Sequence, residues 1–104
     1  MDLSDVMELL GKRQGKKSNE QYANEMGIRG STLWRYKHGQ SDINTEAREK
    51  LIRYFSERGD SVMIGALLVH RTGTKFSEGE LDVLGHYFLT REHPHTDMAL
   101  APSN

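Results

Sequence analysis

Between Glu25 and Asp42 the chain has no acidic residue. Inside that window, the run Arg29-Gly30-Ser31-Thr32-Leu33-Trp34-Arg35-Tyr36-Lys37-His38 gathers three cations, two aliphatic hydroxyls, a phenol, an indole and an imidazole. These groups suit non-covalent recognition of an anionic surface that carries hydrogen-bonding edges. An arginine fork pairs with two adjacent acceptors, a hydroxyl both donates and accepts, and a threonine methyl packs on an apolar patch. A second basic group, Lys12, Arg13, Lys16 and Lys17, lies upstream. The plain alternative is that clustered Lys and Arg simply keep a surface solvated.

Covalent chemistry has little to work with. Cysteine is absent, which removes disulfides, thiolate zinc sites and cysteine nucleophiles. Glu78, Glu80 and Asp82 put carboxylates close together, but Ser77-x-x-Glu80 is the pattern of a helix capping box and implies no acid–base pair. His93-Pro94-His95 lacks a third metal ligand. No glycine-rich phosphate loop and no Ser-His-Asp grouping is present. The expectation is therefore no enzyme, no cofactor and no metal.

The net charge of −1 is unevenly spread: residues 1–58 hold 11 Lys and Arg against 9 Asp and Glu, and residues 59–104 hold 3 against 6. Local patches, more than the total, set the field that a polyanion meets. The longest apolar run, Val62–Val69, is interrupted by Gly65 and falls far short of the ~20 residues that span a bilayer. The acidic start Met-Asp-Leu-Ser-Asp does not resemble a basic targeting leader. A cytoplasmic protein with no membrane partner is expected.

Periodicity places these residues on helices. Leu3, Val6, Met7, Leu9 and Leu10 predict a helix over 3–13, capped by Asp2 or Ser4. Ser18 caps a short helix whose inner face is Tyr22, Ala23 and Met26 and whose end is Gly27. A second short helix follows from Ser31-Thr32, with Leu33 and Tyr36 inward and Gly39 as its stop. Asn44 caps a longer helix over 45–58, with Ala47, Leu51, Ile52, Tyr54 and Phe55 on its apolar side. Residues 62–69 fit a helix or a strand equally well. The Ser77–Glu80 box opens a last helix with an inward face of Leu81, Leu84 and Phe88, to which Tyr87 is the optional addition, and 93–104, with two prolines, reads as a mobile tail.

Two short helices that cross steeply after a three- or four-residue turn impose specific requirements. Ala23 is small where the second helix passes. Gly27 accepts positive φ, and Ile28 seals the turn. Tyr22 and Met26 anchor the first helix, Leu33 and Tyr36 the second. On these residues the segment Ser18–Gly39 resembles the lambda-repressor and Cro-like (XRE-type) helix-turn-helix family, and the resemblance extends over roughly residues 3–58. It implies an all-α helix-turn-helix bundle with a C-terminal helical extension, and a second helix that enters the major groove of duplex DNA. By that resemblance Arg29, Gly30, Ser31, Thr32, Trp34, Arg35 and His38 are candidate base readers, with Arg35 the strongest. Lys16, Lys17, Ser18, Asn19, Lys37 and Gln40 are candidate phosphate contacts. Ser31 has the alternative role of capping its helix, and Trp34 that of packing against another element such as the C-terminal helix. Gly30 departs from relatives that carry a long polar side chain there.

The resemblance also implies a transcriptional regulator, a repressor by preference. A single reading helix sees one half-site, so pairing is expected. The organisation that follows is a DNA-binding domain over 1–58, a helical extension over 59–92 forming a homodimer, and the tail. Leu67, Leu68, Leu81, Leu84, Tyr87 and Phe88 are the apolar surface available for pairing, or they merely cap the core. The alternative function is a helical module, antitoxin-like or adaptor-like, that binds a protein partner.

Overall fold

A computed structural model describes residues 1–92; the expected tail at 93–104, with His93 and His95, lies outside the described residues. The protein is all-α: among the described residues there are six helices and no strand. These are α1 (Leu3–Gln14), α2 (Asn19–Met26), α3 (Gly30–Lys37), α4 (Thr45–Glu57), α5 (Ser61–Val69) and α6 (Glu78–Glu92).

The helix starts follow from local hydrogen bonding. Asp2, rather than Ser4, caps α1 in a reciprocal box with Asp5. Ser18 Oγ accepts from the Gln21 N–H at 3.1 Å, Asn44 Oδ1 from Ala47 at 2.7 Å, and Asp60 Oδ1 from Met63 at 3.3 Å. The Ser77–Glu80 box closes at 3.1 and 2.8 Å. Each cap satisfies a backbone donor that the helix leaves without a partner. Gly27, at φ +85°, turns the chain out of α2 in the left-handed region, while the Ile28 N–H returns to the Ala23 carbonyl at 2.9 Å. The helix α3 differs from expectation at its start. Arg29 is the N-cap and offers no side-chain bond, so Ser31 lies within the first turn and is not the cap.

The ambiguous run 62–69 is helical. Met63, Ile64, Gly65, Ala66 and Leu67 are all buried, because α5 lies against α1, α4 and α6 at once. A helix hidden on all sides loses its amphipathic signature, which is why periodicity could not identify it.

A single apolar cluster joins Val6, Leu10, Tyr22, Ala23, Leu33, Ile43, Leu51 and Phe55 to Met63, Ile64, Leu67 and Leu81. The expected boundary at residue 58 therefore does not separate two cores. Helix α5 completes the core of the preceding four helices, and α6 covers α5. Of the apolar residues expected to be free for pairing, Leu67 and Leu81 are fully buried, Leu68, Leu84 and Phe88 are half-buried, and Tyr87 stays out.

The α5–α6 contact is unusually close. A Cβ placed on Gly65 would lie 2.1 Å from the Leu81 carbonyl oxygen, and one on Gly85 would lie 1.8 Å from that of Ser61. The two backbones touch at both points, in an antiparallel arrangement that only glycine permits.

Candidate nucleic-acid interface

The framework that presents α3 is built from inside outward. Leu33 and Tyr36 are buried on its inner side, next to Tyr22, Ala23 and Met26 of α2. Tyr22 is 1% exposed and its hydroxyl donates to the Leu10 carbonyl at 3.2 Å. Burial pushes this phenol up to about 12, because the charged form has no water to stabilise it. Fixing two inward positions three apart fixes the rotation of α3, and so decides which side chains face out.

Those are Ser31, Trp34, Arg35 and His38, all exposed and spaced as one helical stripe, with Arg29 exposed at its entrance. Trp34 is 44% exposed and is not among the side chains packed against the core. It stacks on the His38 ring instead, with centroids 3.9 Å apart and planes 23° from parallel. His38 Nδ1 lies 2.8 Å from the Trp34 carbonyl oxygen. A carbonyl only accepts, so Nδ1 carries the hydrogen and Nε2 is the ring's outward-facing acceptor in the neutral form. Together the two rings make a flat apolar plate with a polar edge. Arg35 Nη2 reaches Thr32 Oγ1 only at 3.5 Å, too long to restrain it. Thr32 itself is half-buried, turned toward a cleft that it shares with Asn24, Ile28, Arg29, Asn44 and Lys50.

Gly30 is half-buried and does not belong to the exposed stripe. A Cβ there would meet Glu20 Cγ at 2.9 Å and Glu20 Cα at 3.3 Å. The missing side chain is thus explained by the approach of α3 to the first turn of α2.

The basic groups divide sharply. Lys12 pairs with Glu78 at 3.9 Å, Lys17 with Glu25 at 2.6 Å, and Arg13 grips Asp60 through two nitrogens, one at 3.2 Å. The hydrogen bond from Lys17 is the main reason the Glu25 carboxyl sits below its ordinary range, and the same bond raises Lys17. Most of the upstream cluster therefore spends its charge within the protein. Among the described residues Lys16, Arg29 and Arg35 have no carboxylate partner. Ser18 uses its oxygen on the Gln21 cap, which leaves the hydroxyl hydrogen to donate outward. Gln40 is exposed just past the end of α3, where its own N–H closes on the Arg35 carbonyl at 2.9 Å.

Lys37 and Asn19 are not free-standing surface groups. Lys37 Nζ donates to Gln14 Oε1 and, at 2.7 Å, to Asn19 Oδ1; Gln14 Nε2 donates to Asn19 Oδ1 at 2.9 Å and to the Lys17 carbonyl at 2.8 Å. Desolvation in this joint lowers the Lys37 ammonium below its ordinary value. Gln14 and Lys50 are the residues the sequence did not single out, and no local pattern marks either: one lies on α1, the other on α4, and only folding brings them to α3.

Among the described residues no three His, Asp or Glu side chains gather as a metal would require, and no helix is long and apolar enough to cross a membrane. Comparison of the chain with protein-family models, with curated proteins and with solved structures finds no match.

Proposed function

We propose that this protein is a helix-turn-helix transcriptional regulator, a repressor by preference, that binds duplex DNA sequence-specifically with α3 in the major groove. The observation that carries the reading is the outward stripe of α3, with Arg29 and Arg35 unpaired beside Ser31, Trp34 and His38, on a helix whose inner residues are wholly buried. Such a stripe combines base-edge donors with apolar surface, and among the described residues no carboxylate competes for its arginines.

In this reading Arg35 reads a base edge, a guanine by preference, and Trp34 with His38 lies along thymine methyls or the sugar edge. Arg29 contacts either a base or a phosphate. Lys16, Ser18, Asn19 and Gln40 face the backbone that flanks the groove. Two copies read two half-sites about one helical turn apart, joined through α6, whose Val83 and Tyr87 are 67% and 61% exposed.

Those exposed residues also favour the second reading, a protein-interaction module that uses α6. Selection from a random duplex pool separates the two. The regulator reading expects one enriched half-site motif, repeated at a fixed spacing, and binding that falls linearly with log salt. Arg35→Ala should relax preference at one position, and Lys16→Ala should weaken all duplexes alike. No retention of any duplex at low salt would overturn the reading.

A further inference from the structure

Lys37 lies on the reading helix and carries a positive charge, yet its contacts are with the protein. Its ammonium can only donate, so the atoms facing it on Gln14 and Asn19 must both be oxygens. The other end of Gln14 faces the Lys17 carbonyl, which can only accept, so that end is the NH2 group. Gln14 therefore also donates to Asn19, in agreement with an oxygen there. Both carboxamides are held in one orientation by donor–acceptor logic alone, with no freedom to flip.

This closes the inner side of Asn19 and defines its outer side. Asn19 Oδ1 accepts two bonds, while Asn19 Nδ2 has no hydrogen-bond partner among the described residues. His70 Nδ1 is the only fully buried side-chain polar atom without a partner among the described residues, so Asn19 Nδ2, on a half-buried residue, keeps some contact with solvent. Asn19 is also the first residue of α2, and the Ser18 cap takes the N–H of Gln21 and not those of Asn19 or Glu20. An amide NH2, polarised by the ammonium on its oxygen, thus stands beside two uncapped backbone donors.

We infer that Lys37 and Gln14 are positioning residues for DNA binding: they hold the Asn19 carboxamide so that its Nδ2 hydrogens meet a backbone phosphate oxygen, and Lys37 makes no phosphate contact of its own. The inference rests on the duplex-binding reading above. The same joint ties the last turn of α3 to the corner between α1 and α2, so a phosphate held at Asn19 also sets how far α3 enters the groove. In this arrangement a charge on the reading helix acts through a neutral neighbour.

A labelled mixed-sequence duplex, titrated over a salt series against the full chain, tests this. Wild type must bind at low salt; if it does not, the DNA-binding reading itself has failed. Given binding, Lys37→Met should weaken affinity about tenfold at every salt concentration and leave the slope of log affinity against log salt unchanged. The double variant with Asn19→Ala should bind no worse than Asn19→Ala alone. A direct phosphate contact by Lys37 gives the opposite pattern: a slope smaller by about 0.9 and losses that add. Gln14→Ala, which changes no charge and touches no DNA in either account, should copy Lys37→Met in direction, with circular dichroism confirming a folded protein. Unchanged affinity in a folded Gln14→Ala protein, additive losses, or a reduced slope would each overturn the inference.

Discussion

The α2–α3 unit and the α5–α6 pair are both two-helix units, but they are held together by different physics. The first is joined through side chains: buried Tyr22, Leu33 and Tyr36, and the Gln14–Asn19–Lys37 joint. Its outer face carries exposed side chains, Ser31, Arg35 and the stacked Trp34 and His38, that the core does not hold. The second is joined backbone to backbone at Gly65 and Gly85, with almost no space between the helices. Side-chain contacts can relax when one atom is added or removed, whereas backbone contacts cannot. The α2–α3 unit can therefore change its exposed residues without refolding, and the α5–α6 pair is a rigid support that tolerates little change.

The largest effect should come from Gly85→Ala. Its new methyl would collide with the Ser61 carbonyl at 1.8 Å, so the helices must separate, and a loss of roughly 3 kcal/mol or more is expected in denaturant titration. Gly65→Ala should behave in the same way. Gly30→Ala meets mainly a flexible Glu20 side chain, at 2.9 Å, and should cost about 1 kcal/mol. If the three substitutions cost the same, the contrast between the two units is broken.

Arg35→Ala and Trp34→Ala sharpen the contrast from the other side. Both residues are exposed, so stability should stay within about 0.5 kcal/mol of wild type. Duplex binding should fall by ~1–3 kcal/mol for Arg35→Ala. A matching drop in melting temperature would show that the outer stripe is structural after all.

Alkaline titration tests the buried side of the first unit. The Tyr22 phenol is raised to about 12 in the folded protein, against ~10 for an unburied tyrosine. A raised value means that its contribution to stability is complete below ~10 and is lost as pH climbs through about 12. Tyr22→Phe should abolish that part of the alkaline destabilisation, measured by chemical denaturation at a series of pH values.

The smallest effect belongs to the link between the two units. His70, buried at the end of α5, lies 2.8 Å from Asp42 in the loop that leaves α3. Burial works to raise the Asp42 carboxyl, but the bonds from His70 and the Ile43 N–H, together with the His70 and Arg71 charges, hold it below its ordinary value. A depressed carboxyl contributes stability above ~3.9, and that stability is lost as pH falls through the lower folded value. Because Asp42 is exposed, Asp42→Asn should remove less than about 1 kcal/mol at neutral pH and flatten the acid limb of the stability curve.

Sequence alone determined where most helices start and stop and which residues face inward. Ser18, Asn44 and the Ser77–Glu80 box act on neighbours within three residues, and Leu33 with Tyr36 sets the rotation of α3 by spacing alone. The outward stripe of the candidate site was legible for the same reason. Only the tertiary structure decided which charges remain available. Lys17, Arg13 and Lys37 looked equivalent to Lys16 until folding placed Glu25, Asp60, Gln14 and Asn19 against them. It also decided that Gly30, Gly65 and Gly85 mark close approaches, and that 62–69 is a helix hidden on every side. These features depend on partners distant in the chain: a cap or a helical face is read from adjacent residues, whereas a salt-bridge partner or a backbone contact exists only once the helices have packed.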